Sequence, residues 1–177
     1  MRTTQAVFNP GSSILVDLSN ELASVSARVL TSLVQVRRDD GGAAGTVWHP
    51  DGLILTNAHV VAGRHWPRGR RPAGSGDLRV VLPSGDELAA RVLAVDDKND
   101  LAALRVEAAG LPTVALADSR RLQPGDIVIA LGFPWGVTGG ATTGIVIGTG
   151  AALPELASSG REWIAASLHL RPGHSGG

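Results

Sequence analysis

Three short motifs place a histidine, an aspartate and a serine where acyl-transfer chemistry could use them. His59 lies in LTNAHVV after an apolar run, Asp100 lies in a turn before the run LAALRV, and Ser175 lies in the glycine-rich GHSGG. Nucleophilic catalysis by serine needs an exposed hydroxyl, an imidazole that takes its proton, and a buried carboxylate that fixes the imidazole tautomer. The order His, Asp, Ser along the chain is one in which such triads occur.

Each motif taken alone has a simpler interpretation. In a chain with 23 glycines a G-x-S-G-G segment is more often a turn. A histidine at the end of a strand more often closes the strand, and an aspartate before a strand more often forms the turn. Glycines beside a serine nucleophile allow backbone conformations that a Cβ would block, and let amide N–H groups approach the substrate carbonyl oxygen. The three motifs in this order therefore favour the chemical interpretation over three unrelated turns.

The elements predicted to position these residues are mostly short strands. Residues 1–13 are predicted as a loose, flexible tail, followed by a short helix capped near Ser19 whose apolar positions are Leu22, Val25 and Val29. From Val29 onward, β-branched runs alternate with turn signals. About nine or ten short strands with frequent turns predict an all-β sandwich or barrel. The predicted strands are VLTSLVQVRR, AAGTVW, LILT, LRVVL, ELAARVLAV, LAALRV, IVIALG, TTGIVIGTG and REWIAASL.

Composition narrows the classes of partner. Lys plus Arg and Asp plus Glu are equal at 16 each, so the balance does not indicate nucleic acid or an acidic membrane surface. The absence of Cys excludes disulfides and thiolate catalysis. No stretch approaches the roughly 18 apolar residues of a membrane span. The N-terminus does not resemble a signal peptide, which predicts a cytoplasmic location if it is literal and the cell envelope or secretion if a leader has been lost.

Two segments are predicted as exposed loops. The stretch 64–77 carries four arginines and several breakers, and is interpreted as a solvated insertion in preference to a basic docking patch. The stretch 151–161 is rich in Ala, Ser and Gly.

Four separated segments resemble the trypsin-like serine proteases of the bacterial HtrA (Deg) kind. They are GTVWHPDGLILTNAHVV, NDLAALRV, LQPGDIVIALGFPWGVTGGATTGIVIG and PGHSGG, and the similarity runs from about residue 15 to the end. The resemblance implies a trypsin-like double β-barrel over 14–177. A first barrel over about 14–110 would carry His59 and Asp100, and a second over about 111–177 would carry Ser175.

The resemblance also implies a function and a role for each motif residue. It implies hydrolysis of peptide bonds in exposed or unfolded protein segments, without cofactor or metal, and related proteases form trimers. His59 would be the general base and Asp100 would orient it through the inner ring nitrogen, whereas Asp96 and Asp97 do not occupy the N-D-L-A position. Ser175 would be the nucleophile. The backbone N–H groups of Gly173 and Ser175 would form the oxyanion hole.

Several features depart from this pattern. The residue before the serine is usually Asn and is His174 here. In the family further strands follow the serine, so roughly 20–40 more residues would be needed to complete the second barrel. We therefore expect an incomplete second barrel with Ser175 on a flexible tail. The alternative function is a truncated, inactive homologue that at most binds peptide segments.

Two further interpretations have little support. A zinc site from His169 and His174, or from His59 and His65, lacks the additional ligands and spacing of known sites. A nucleotide site at GFPWGVTGGATTG lacks the Gly-Lys-Ser/Thr ending of a phosphate loop.

Overall fold

A computed structural model describes residues 13–38, 41–62, 78–150, 153 and 162–177. The loop predicted at 64–77, the first twelve residues of the predicted tail, and 151–161 apart from Leu153 lie outside these ranges. No helix of the described residues combines the length and apolarity needed to cross a membrane.

The described residues form two α-helices and nine strands, joined by turns and two short 3-10 segments. Their bounds are α1 Ser13–Leu30, β1 Leu33–Arg38, β2 Gly41–His49, β3 Leu53–Thr56, α2 Ala58–Ala62, β4 Arg79–Val81, β5 Glu87–Asp96, β6 Leu101–Val106, β7 Ile127–Gly132, β8 Gly140–Thr149 and β9 Ile164–Ala166.

Strands β1 to β6 close into a barrel in the order β1-β2-β3-β6-β5-β4. Every neighbouring pair is antiparallel. Alternate residues point inward because side chains of a strand project to opposite faces. The inward set is apolar, and its largest fully buried members are Ile54, Leu104, Val34, Val36, Val47, Val80 and Val106. The alternation of β-branched residues in the sequence therefore arises because every second residue packs in the interior of one barrel.

Strands β7, β8 and β9 form a second antiparallel sheet, which is not closed. A small apolar cluster joins it to the barrel: Leu33 and Ala44 of the barrel pack with Leu131 and Phe133 of the β7 end. The end of α1 also packs against this cluster. The predicted all-β architecture, with a first barrel, an unclosed second sheet and an N-terminal helix, is confirmed.

The predicted start of the helix is wrong. Helix α1 begins at Ser13 and passes through Ser19, which was expected to cap it. Its first turns carry exposed apolar residues, with Ile14 76 % and Leu15 65 % exposed, so burial periodicity does not mark them in the sequence. Once the C-terminal half is helical, adding residues costs less than nucleation does, so the helix extends in the N-terminal direction.

Candidate active site

His59 and Asp100 lie side by side at one end of the barrel. The imidazole Nδ1 of His59 lies 2.8 Å from Oδ2 and 3.0 Å from Oδ1 of Asp100. The backbone N–H of His59 donates to the same carboxylate at 2.9 Å. Asp100 therefore holds both the ring and the backbone of His59, which leaves Nε2 as the ring nitrogen that points away from the carboxylate.

Local sequence explains how the histidine reaches this position. Strand β3 ends at Thr56, and His59 is the second residue of the single-turn helix α2. The carboxylate of Asp100 accepts the N–H of His59, and the N–H of Ala58, the first residue of that helix, also favours its ionised form. An anion at a helix N-terminus satisfies donors that have no partner within the helix.

The turn between β5 and β6 presents the aspartate. Asp96 accepts hydrogen bonds from the backbone N–H and the side-chain amide of Asn99, which closes the turn. Asp100 follows with φ 52°, in the left-handed region where Asn and Asp are the best tolerated non-glycine residues. Its carbonyl oxygen accepts from Asn57 Nδ2 at 2.9 Å. The strained residue is therefore fixed from both sides.

The carboxylate is less buried than a triad was expected to require. The side chain of Asp100 is 47 % exposed and that of His59 57 % exposed. Desolvation raises the pKa of Asp100, but hydrogen bonds from the His59 backbone and ring, the charge of His59 and the Ala58 N–H outweigh it. The pKa of Asp100 therefore lies below its ordinary value of 3.8, and the group is ionised at neutral pH.

This lowered pKa predicts a pH dependence of stability. A carboxylate with a depressed folded pKa contributes stability above the unfolded value of 3.8, and the contribution disappears as pH falls through the folded value. We expect wild type to exceed Asp100→Asn in thermal unfolding midpoint at neutral pH, with a gap that narrows in strong acid. Differential scanning calorimetry of both proteins from about pH 7 to about pH 2 measures this gap. A gap that stays constant or widens on acidification would contradict the assignment.

Ser175 lies in two successive hydrogen-bonded turns that dock on both halves of the molecule. His174 N–H donates to Arg171 O at 3.1 Å, and Gly177 N–H donates to His174 O at 3.0 Å. Ser175 O accepts from Ala44 N–H of β2 at 2.7 Å, and Gly173 O accepts from Phe133 N–H at 2.9 Å. In place of the flexible tail expected for Ser175, the structure holds the serine between the barrel and the β7 end.

Two glycines allow this close docking. A Cβ on Gly176 would overlap the carbonyl oxygen of Ala44 and Oγ1 of Thr56, and a Cβ on Gly173 would overlap the carbonyl of Phe133. Both glycines also have positive φ, 85° and 104°. Thr56 Oγ1 donates to Ala44 O at 2.7 Å. The serine loop therefore packs on a hydrogen bond that links β2 to the end of β3, three residues before His59. The glycine-rich motif is therefore a docking requirement as well as a turn.

The predicted oxyanion donors are free. Within the described residues, the backbone N–H groups of Gly173 and Ser175 make no hydrogen bond. The hydroxyl of Ser175 likewise makes no hydrogen bond to His59 in this part of the chain. The structure thus joins His59 to Asp100 directly and docks the Ser175 loop on β2, with no hydrogen bond between the Ser175 hydroxyl and His59 in the described residues.

The GFPWG segment has a structural place in this site. It connects β7 to β8, and Phe133 donates to the serine loop as described above. Trp135 has φ 54° and is 77 % exposed, and the guanidinium of Arg171 lies 4.7 Å from its ring centroid. The segment that suggested a nucleotide loop therefore packs beside the residues that precede Ser175.

His174 is buried within its own loop. It is 8 % exposed, and its Nδ1 lies 3.2 Å from Arg171 N and 3.1 Å from Arg171 O. Its Nε2 is buried and has no partner in the described residues. Across those residues, no group of three or more His, Cys, Asp or Glu is arranged to hold a metal ion. His65 lies outside them.

Sequence reasoning missed the residues that connect the parts of the site. Ala44 and Thr56 carry no reactive group, yet they hold the serine loop against the strand that leads to His59. Asn57 and Asp96 shape the backbone on either side of Asp100. Thr56 and Asn57 lie within LTNAHVV, so this motif is the sequence signal that could have indicated these two residues.

Comparison with known proteins gives a consistent set of relatives. Residues 43–177 match the family described as trypsin-like peptidase domain. A putative serine protease, HhoB, from Synechocystis sp. is 34 % identical over 142 residues, which cover 79 % of this chain and 32 % of that protein. A probable periplasmic DegP-like serine endoprotease from Ectopseudomonas mendocina is 35 % identical over 154 residues, covering 82 % and 30 %.

A solved structure is similar over most of the chain. The HtrA-type protease AlgW with tripeptide superposes with a TM-score of 0.71 at 27 % identity, covering 87 % of this chain and 48 % of that one. The chain therefore spans about a third of the length of these curated relatives and about half of this solved one.

Proposed function

This chain belongs to the trypsin-like peptidase family, with relatives of the HtrA/Deg kind, and from that membership we propose that it is a serine endopeptidase using His59, Asp100 and Ser175. The observation that carries the proposal is the contact of His59 Nδ1 with both carboxylate oxygens of Asp100. The docking of the Ser175 loop on β2 supports the third member.

The proposed reaction begins at Ser175. His59 Nε2 takes the hydroxyl proton as Oγ attacks the carbonyl carbon of the scissile peptide bond. Asp100 stabilises the imidazolium that forms and keeps the ring in the required orientation. The tetrahedral oxyanion is stabilised by the N–H groups of Gly173 and Ser175, which have no other acceptor in the described residues.

The intermediate then collapses in two stages. His59 gives its proton to the leaving amine, the C–N bond breaks and an acyl ester remains on Ser175. A water molecule then loses a proton to His59 and attacks the ester, which releases the carboxylic acid and restores the serine hydroxyl. His59 carries every proton in these steps, whereas Asp100 and the two amides act only through hydrogen bonds.

The proposed substrates are peptide segments in extended form. The solved relative AlgW is described with a tripeptide. Exposed or unfolded protein segments present such backbones. From the resemblance to related proteases we also propose that the chain assembles into homo-oligomers.

A second candidate function is peptide binding without turnover. One observation favours it: the Ser175 hydroxyl makes no hydrogen bond to His59 within the described residues. The surface that would bind peptide is the same in both functions. The difference lies in whether Ser175 becomes nucleophilic.

Covalent labelling separates the two. A fluorophosphonate reacts with a serine only when base and oxyanion donors activate it, so we expect a stoichiometric adduct that peptide mapping locates on Ser175. The variant His59→Ala should lose the adduct, and Ser24→Ala, which removes an exposed hydroxyl on α1, should keep it. A soluble protein with a cooperative unfolding transition and no adduct would reject the hydrolase and leave peptide binding.

A further inference from the structure

Four arginines form a row across the outer face of the barrel, here called the arginine row: Arg37 of β1, Arg79 of β4, Arg91 of β5 and Arg105 of β6. The strand register brings them together, because Arg37 pairs with Arg79 and Arg91 pairs with Arg105. Ala89 connects the two pairs, since it is the partner of Arg79 and lies two residues from Arg91. Paired residues of antiparallel strands project to the same face.

The direction of the row follows from its neighbours. Val36, Val80 and Leu104 point into the barrel and are buried. Each adjoins a member of the row, so the arginines point outward by the alternation of the strand. Arg37, Arg79 and Arg91 are exposed, and Arg105 is half-buried.

The row is only partly neutralised. Glu87 lies 3.8 Å from Arg37 Nη1 and 3.5 Å from Arg79 Nε. Neither Arg91 nor Arg105 forms an ion pair with any group that the structure describes. Formal net charge over the full chain is zero, so this face is a local concentration of charge and not a consequence of a basic protein.

The placement of Arg91 opposite Arg105 works against folding. Like charges directly opposite each other on neighbouring strands are destabilising. A threonine or glutamate at either position would suit the exposed face of a strand better. A local cost of this kind indicates that the charges serve binding.

We propose that the arginine row is a docking surface for an extended acidic segment of a partner protein. The row crosses three strand intervals, about 14 Å at the usual spacing between strands. An extended peptide places alternate side chains about 6.8 Å apart, so three carboxylates at alternate positions span the row. The planar guanidinium is the cation best matched to carboxylates because it pairs with them through two hydrogen bonds.

Two other polyanions fit the row less well. The four strands that carry it contain no aromatic residue. Single-stranded nucleic acid binds largely by stacking bases on aromatic side chains, and membrane interfaces favour Trp and Tyr anchors. The row offers neither, whereas an acidic peptide needs only charge and backbone space.

The Arg91–Arg105 end of the row is separate from the His59–Asp100 pair, whereas the Arg37 end lies nearer the serine loop, because Arg37 Nε donates to Gln35, the strand partner of Ala44. Arg105 lies five residues after Asp100 along β6, which is about 17 Å of extended strand. Binding at Arg91 and Arg105 therefore does not depend on the proposed triad, and a test that changes these two residues is independent of catalysis. If both functions hold, the row would anchor a substrate or partner at a distance from the bond that is cut.

The test uses a fluorescein-labelled decaglutamate peptide and the full chain carrying Ser175→Ala, measured by fluorescence anisotropy at about 20 mM and about 150 mM salt. We expect saturable binding at low salt that weakens at high salt. Arg91→Gln with Arg105→Gln should weaken binding by up to about 25-fold, since an exposed charge pair accounts for up to about fivefold each. Arg28→Gln with Arg121→Gln removes the same charge from exposed positions elsewhere and should change binding less than about twofold.

Each other result overturns the proposal. If the peptide does not bind at low salt, the arginine row is not a docking surface. If both double variants lose the same affinity, the binding reflects the net charge of the protein and not the row. If phosphatidylglycerol vesicles or an oligothymidine strand bind more tightly than the peptide, and this binding depends on the row, the ligand of the row is a membrane or a nucleic acid and not an acidic peptide. Thermal unfolding of each variant checks the fold, and the row variant should not unfold earlier than wild type because a repulsive pair has been removed.

Discussion

Replacing Asp100 with Asn is expected to lower kcat for peptide hydrolysis about 10⁴-fold while the fold is retained. The carboxylate accepts from His59 Nδ1 through both oxygens. An amide in its place presents an NH₂ group to the ring, which favours the tautomer protonated at Nε2. That tautomer cannot take the proton of Ser175. Hydrolysis of an unfolded casein substrate at saturating concentration measures the effect.

Asn is the substitution that isolates this chemistry. Asp100 has φ 52°, and Asn tolerates the left-handed region better than Ala does. The backbone carbonyl that accepts from Asn57 is unchanged, so the turn should persist. The matched control is Asp97→Asn, which removes an exposed carboxylate from the same turn and should leave turnover unchanged. Near-full turnover in Asp100→Asn would reject Asp100 as the residue that orients His59.

The strands and their order were largely predictable from the sequence. LRVVL and ELAARVLAV are predicted as strands from their sequence patterns, and the structure pairs them as the antiparallel strands β4 and β5. The prediction succeeds because the buried alternate positions of a barrel must be apolar, and turn residues must interrupt them. Barrel closure by β1 with β4 was available only through the resemblance, since no local pattern specifies which distant strands pair.

The helix boundary and the exposure of the aspartate were not predictable in this way. Ser19 has the chemistry of a cap, but capping is a local preference that helix propagation from a docked segment overrides. The burial of Asp100 depends on which elements surround it in three dimensions. Its neighbours in sequence do not determine that environment.

The docking of the serine loop on β2 and Phe133 could not be predicted from the sequence either. Gly173 and Gly176 were interpreted as sources of backbone freedom, which their positive φ values agree with. Their second use, close approach to Phe133 and Ala44, depends on contacts between segments about 40 and 130 residues apart along the chain. The arginine row has the same origin, because its members belong to four strands and become neighbours only through register.

The candidate site therefore depends on two kinds of contact. His59 and Asp100 are joined at the barrel by direct hydrogen bonds, whereas the Ser175 loop is held by backbone hydrogen bonds to Ala44 and Phe133. Cluster residues Leu33, Leu131 and Phe133 hold the barrel and β7 together beneath that docking. Loosening this cluster should displace Ser175 without disturbing the His59–Asp100 pair.

Replacing Ser175 with Ala is expected to abolish hydrolysis, by about 10⁶-fold in kcat, because loss of a nucleophile removes the step that all later steps need. The Ser175 side chain makes no hydrogen bond in the described residues, and the loop is held through its carbonyl oxygen on Ala44. The unfolding free energy should therefore change by less than about 0.5 kcal/mol.

Binding of an unfolded peptide, measured by isothermal titration calorimetry, should be retained, and Ser24→Ala should match wild type in every measurement. Turnover that survives in Ser175→Ala would exclude Ser175 as the nucleophile. Wild type that binds peptide but matches the variant's lack of turnover would select peptide binding as the function.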